Sequence, residues 1–147
     1  MEKMLSLKGI ISSDADKVSG QATVYLMQED SQTLLPMSID LSSAEAISLA
    51  DRNLALPRPH THDLLKRVIH SLQGKLIDVV IYDIHEDIFY SYLRLLTNKA
   101  ELLEIDARPS DAIAMALRFS VPILAREEVL LKGGIKVNEM ALNFDQS

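Results

Sequence analysis

The chain reads as an α+β protein: a single compact domain built as two β-β-β-α halves around mixed or antiparallel sheets. Three observations carry that reading. Short aliphatic and β-branched segments separated by polar turn clusters run up to amphipathic helices, as expected where strands and helices are segregated along a chain. The stretch IDLSSAEAISLADR at 39–52 returns as IDARPSDAIAMALR at 105–118, with six identities in fourteen ungapped positions, where chance gives about one. The third is size, since 147 residues suffice to bury one core without calling for a second domain. A spacing of 66 residues with two copies is too long and too sparse for a solenoid, so the repeat reads as an internal duplication.

Taken in order, Met4 to Ile11, Val18 to Met27 and Thr33 to Ile39 are predicted antiparallel strands, divided by turns at Ser12–Asp16 and Glu29–Gln32. A helix follows from Ser42, with Glu45 completing a capping-box spacing and Ala46, Ile47, Ala50 and Leu54 on one face; it stops before Pro57. Thr61 is the predicted N-cap of a second helix, whose stripe is Leu64, Leu65, Val68, Ile69 and Leu72 and whose end is marked by Gly74. The second half gives strands at Leu76–Ile84, Ile88–Leu96 and Leu102–Ile105, with turns at His85–Asp87 and around Asn98 and Lys99. Its helix begins at Pro109, the favoured first position for proline, and ends before Val121-Pro122. A short strand at Ile123–Ala125, a small helix from Glu127 to Leu131 and a last strand near Ile135–Val137 complete the chain.

Composition removes several classes of function. Hydrophobic residues make up 48% but aromatics only 5%, with no Trp, so the core is aliphatic. The absence of Cys excludes disulfides, thiolate metal sites and Cys nucleophiles, and fits a reducing compartment. No apolar run is long enough for a signal peptide or a membrane span, so a cytoplasmic protein without membrane association is expected. A net charge of −6 argues against broad attraction to a polyanion, and Lys66-Arg67 reads as a solvated helix face. G-x-S-x-G, Walker and Rossmann patterns are all missing.

Comparing the two copies of the repeat singles out one helix entrance. The first has Ser42-Ser43-Ala44-Glu45, whose side chains can satisfy the free N–H groups of a helix start. The second has Arg108-Pro109-Ser110-Asp111, with a cation where a capping acceptor belongs. Either Ser110, Asp111 or Asp106 caps locally while Arg108 forms an ion pair, or Arg108 and the helix start together receive an anion such as a phosphate. A second cluster is Arg58-Pro59-His60-Thr61-His62-Asp63. Helix initiation explains Thr61 and Asp63; the two histidines are either surface residues or a metal-binding pair. Asp63, Asp106 and Asp111 could jointly hold Mg²⁺. Asp40, which mirrors Asp106, is expected to be a turn or capping residue, and His70 and His85 to face solvent.

The segments RPHTHDLL at 58–65 and IDARPSDAIAMALR at 105–118 resemble the bifunctional nuclease family, in which R-P-x-T-H-D-L-L and a D-x-R-P-S-D-A-I-A-like segment occur at this distance. The F-Y-x-Y-L of 89–93 and the V-P-I-L of 121–124 fit as well, so the resemblance runs from about residue 5 to 135. It implies a stand-alone nuclease domain covering residues 1–147, acting on DNA, RNA or both, and a compact α+β homodimer. Residue type at these motif positions gives His62, Asp63, Asp106 and Asp111 as the expected catalytic residues, His62 as general acid or base, and Arg58, Arg108 and Ser110 as the expected ligands of substrate phosphate. Mg²⁺ or another divalent ion would sit on the aspartates. His60 departs from the family pattern, which commonly has an aliphatic residue there. The competing class is a non-catalytic binding or regulatory module, in which Arg58 and Arg108 pair with the aspartates and both motifs serve packing.

Overall fold

The computed structural model describes residues 1–137. The first half consists of β1 (Glu2–Ile11), α1 (Asp14–Ser19), β2 (Gln21–Gln28), β3 (Thr33–Asp40) and α2 (Leu41–Asp51). Then come α3 (Thr61–Ser71), β4 (Lys75–His85), β5 (Ile88–Leu96), β6 (Leu102–Ala107) and α4 (Pro109–Phe119), followed by β7 (Ile123–Arg126), α5 (Glu127–Gly133) and β8 (Ile135–Lys136). All the strands join one sheet in the order β6-β5-β4-β7-β1-β2-β3-β8.

Each half is an antiparallel meander, and four-residue β7 welds the two together. It pairs antiparallel with β1 through Leu5↔Ile123 and parallel with β4 through Val79↔Ile123, the parallel ladder being possible because α4 supplies the crossover. Alternate residues point into a single aliphatic core: Ala22, Val24 and Leu26 of β2, Leu35, Met37 and Ile39 of β3, Val79 and Ile81 of β4. The centre of that core is α4, where Ala112, Ile113, Ala114, Met115 and Ala116 are fully buried. Small residues in this run let α2 and α3 pack closely against it, and β4 and β5 contact it as well.

Local differences from the sequence reading have identifiable causes. The predicted turn at Ser12–Asp16 is a short helix: Ser13 and Asp16 cap it reciprocally, and Gly20 ends it at φ 76°. Asp40 instead of Ser42 caps α2, its Oδ1 accepting the Ser43 N–H at 2.7 Å, which bears out a capping role for that aspartate. At α3 the N-cap is His60 and not Thr61. Lys66, expected on a solvated face, is partly covered and donates from Nζ to the Arg118 carbonyl at 2.6 Å.

The duplication is not established. The two meander-plus-helix topologies correspond, but the two Ile-Asp pairs sit in different surroundings: Ile39 is buried and Ile105 is 41% exposed. Asp40 is the last residue of β3 and caps α2, whereas Asp106, paired with Tyr92, is followed in β6 by Ala107 and caps no helix. The reason is Pro109, which holds the preceding Arg108 in an extended conformation (φ −64°, ψ 145°) and delays the start of α4 by two positions relative to α2.

A candidate hydrolytic cleft between two helix starts

The late start of α4 makes the site. Arg108 is the N-cap and offers no acceptor to the first turn, and Pro109 has no N–H to satisfy. Asp111, one turn in, turns back: Arg108 donates from Nε to its Oδ2 at 2.8 Å and from Nη2 to its Oδ1 at 3.2 Å. Arg108 Nη1 also lies 3.5 Å from Asp40 Oδ2, which links the starts of α2 and α4. The guanidinium side chain nevertheless remains 64% exposed, and two of its five N–H donors are taken up by Asp111.

The first turn of α3 faces this pair. His62 Nε2 lies 2.8 Å from Asp111 Oδ1, and the imidazole is largely covered. The hydrogen bond from His62, followed by the bonds and charge of Arg108, holds the Asp111 carboxyl down to about 2 despite its partial burial. Asp111 therefore carries its negative charge at neutral pH. Nε2 of His62 is then the donor to Asp111, and in the neutral form of an imidazole so bonded the lone pair is on Nδ1. An imidazole oriented by a carboxylate, beside an exposed guanidinium, is suited to moving a proton next to an anion.

His62, Asp106, Arg108 and Asp111 line one cleft of about 890 Å³, together with Asp40, Ser42, Glu45, His60 and Thr61; Leu65, Leu93, Ile105 and Met115 supply apolar lining. Three predicted site residues stand apart from it. Asp63 points the other way and binds Arg118, whose Nε donates to Asp63 Oδ1 at 2.8 Å. That bond, helped by the His60 N–H, lowers the Asp63 pKa and gives the residue a structural partner. Ser110 is buried and borders a neighbouring cavity. Arg58 is exposed and makes no ion pair among the described residues.

Sequence reasoning missed the part played by Arg118. Its side chain is 6% exposed, and besides Asp63 it donates from Nη1 to the carbonyls of Ala46 and Ala114 at 3.1 Å, tying α2, α3 and α4 together. The only signal was its identity with Arg52 in the repeat. The three aspartates named for a divalent ion lie in different surroundings, Asp106 in β6 and Asp111 beside Arg108 and His62. Asp63 is turned away, both Asp111 oxygens are occupied, and no group of three or more His, Asp or Glu among the described residues is arranged to hold a metal ion.

Residues 24–138 match the family model described as the bifunctional nuclease domain. An uncharacterized protein of Mycobacterium tuberculosis is 34% identical over 128 residues, 87% of this chain and 76% of that protein. Bifunctional nuclease 1 of Oryza sativa subsp. japonica is 31% identical over 124 residues, and Bifunctional nuclease 1 of Arabidopsis thaliana 27% over 121. This chain spans 38% of the rice protein and 37% of the Arabidopsis one. With most of its length matched, the chain belongs to the bifunctional nuclease domain family.

Proposed function

We propose that this protein hydrolyses phosphodiester bonds in DNA or RNA, at the cleft between the starts of α3 and α4. The observation that carries the reading is the His62–Asp111–Arg108 constellation, 2.8 Å at each link, in a chain of the bifunctional nuclease domain family. Arg108 receives the phosphate with its free N–H donors, assisted by the uncapped first turn of α4. His62 Nδ1 takes a proton from a water molecule as its oxygen bonds to phosphorus. The P–O bond to the departing nucleoside breaks, and solvent protonates the leaving oxygen. Asp111 keeps the imidazole in its tautomer and stabilises the cation that forms. No step draws on a divalent ion: Asp63 is turned to Arg118 and both Asp111 oxygens are hydrogen-bonded. The working unit is a homodimer, a reading supported by the exposed apolar residues of α3 and of the edge strand β6.

The test is cleavage of a fluorescent single-stranded oligonucleotide by wild type, His62→Ala and Arg108→Ala, purified identically and assayed both with Mg²⁺ and with EDTA. His62→Ala lowers kcat/KM about 10²–10⁴-fold, and both variants melt within a few degrees of wild type. Wild-type cleavage survives EDTA. Equal cleavage by all three proteins would transfer the activity to a contaminant and favour a binding module.

A further inference from the structure

A second cavity, of about 430 Å³, opens on the other side of Arg108. It adjoins the first, since Asp40, Asp106, Ala107 and Arg108 line both. Its remaining wall has a different character. The β4–β5 hairpin contributes Asp87, Ile88, Phe89 and Tyr90, and β3 contributes Met37 and Ile39. Ile88 is 58% exposed and Tyr90 37% exposed, so apolar surface stands open to solvent beside the charged cleft. Glu86 and Asp87 both have positive φ (51° and 64°), a tight two-residue turn that places Ile88 directly after the bend.

We propose that this cavity is a nucleobase subsite, which receives the base next to the phosphate held by Arg108; the inference rests on the phosphodiesterase reading above. The two cavities meet at a cation, so a ligand filling both has an anionic group at Arg108 and a neutral group on the far side. Among the described residues, Arg108 is the one cation in the lining of this cavity, so a second phosphate finds no partner of its own there. The neutral group is apolar on its faces, to cover Ile88 and the aromatic residues. It carries N–H donors at its edge, because the carboxylate oxygens of Asp87 and Asp106 in the lining are hydrogen-bond acceptors. A nucleobase has both properties, and its volume suits a pocket near the lower end of the range for small-ligand sites. Guanine is favoured over uracil, since its adjacent ring N–H and exocyclic amine can donate in parallel to one carboxylate, whereas uracil presents a single N–H between two acceptor oxygens.

Isothermal titration of the whole protein with inorganic phosphate, guanosine monophosphate and uridine monophosphate tests the assignment. Guanosine monophosphate is expected to bind at least tenfold more tightly than phosphate and more tightly than uridine monophosphate. Ile88→Ser, at an exposed site whose melting temperature is checked first, weakens guanosine monophosphate about tenfold and leaves phosphate unchanged. Asp87→Asn, which keeps a residue tolerant of positive φ, narrows the gap between the two nucleotides. Phosphate binding with no gain from the base overturns the subsite and leaves the phosphodiesterase reading intact. So does an Ile88→Ser variant that loses phosphate and nucleotide equally. Equal affinity for the two nucleotides overturns the carboxylate assignment. Binding of neither phosphate nor nucleotide overturns both readings.

Discussion

At the scale of single residues, Asp111 is the pivot, because one carboxylate serves both His62 and Arg108. Its pKa is depressed from the ordinary 3.8 to about 2. The folded protein therefore binds that proton less readily than the unfolded chain, and the resulting stability is fully present above about pH 4 and lost as pH falls toward 2. With a side chain 31% exposed, the contribution is discounted for solvent to about 1–2 kcal/mol. Urea unfolding of wild type and Asp111→Asn should show a stability gap at pH 6 that shrinks by that amount at pH 2. A gap independent of pH would mean that the charge of Asp111 contributes nothing to folding.

At the scale of elements, the site depends on the angle at which α3 meets α4. Only Ile69 of α3 is buried, so its packing alone is a weak anchor. The Asp63–Arg118 pair, with Lys66 on the Arg118 carbonyl, supplies the rest. Removing one partner of a covered ion pair leaves the other charge uncompensated. Asp63→Asn is thus expected to lower stability by about 1–3 kcal/mol, below the usual cost because Asp63 itself is partly solvated. If Asp63 were catalytic, activity would vanish at unchanged stability. Measuring chemical denaturation and cleavage on the same preparation separates a positioning role from a catalytic one: loss of stability with kcat within about tenfold of wild type supports positioning.

At the scale of the whole molecule, the sheet ends in β6, whose outer edge has no strand partner among the described residues and whose Leu102, Leu103 and Ile105 are exposed. Leu64, Leu65, Val68 and Leu72 leave a second apolar stripe along α3. Apolar surface of this kind beside a free edge is a common setting for a symmetric dimer. Light scattering at micromolar concentration should give twice the chain mass of 16.4 kDa, and Leu72→Glu, at a 70% exposed position, should shift it toward the monomer without loss of fold. A monomeric wild type would reject the homodimer. No helix among the described residues is long and apolar enough to cross a membrane.

The amino-acid sequence by itself determined the element order apart from α1, which it read as a turn and the start of a strand, and most boundaries, because alternation, Pro109 and polar turns act within a few residues of where they are read. It also determined that the entrance of α4 differs from that of α2, since a cation before proline can neither cap nor turn helical. Which side chains converge was decided only by tertiary structure. His62 and Asp111 are 49 residues apart, Asp63 and Arg118 55 apart, and local pattern carries no information on partners at that range. Adjacent residues 62 and 63 look equally catalytic in the sequence, yet about 100° of helical rotation between neighbours sends one into the cleft and the other to a structural arginine. The sheet order was likewise beyond reach, because β7 joins two meanders through pairings that become favourable only once both have formed.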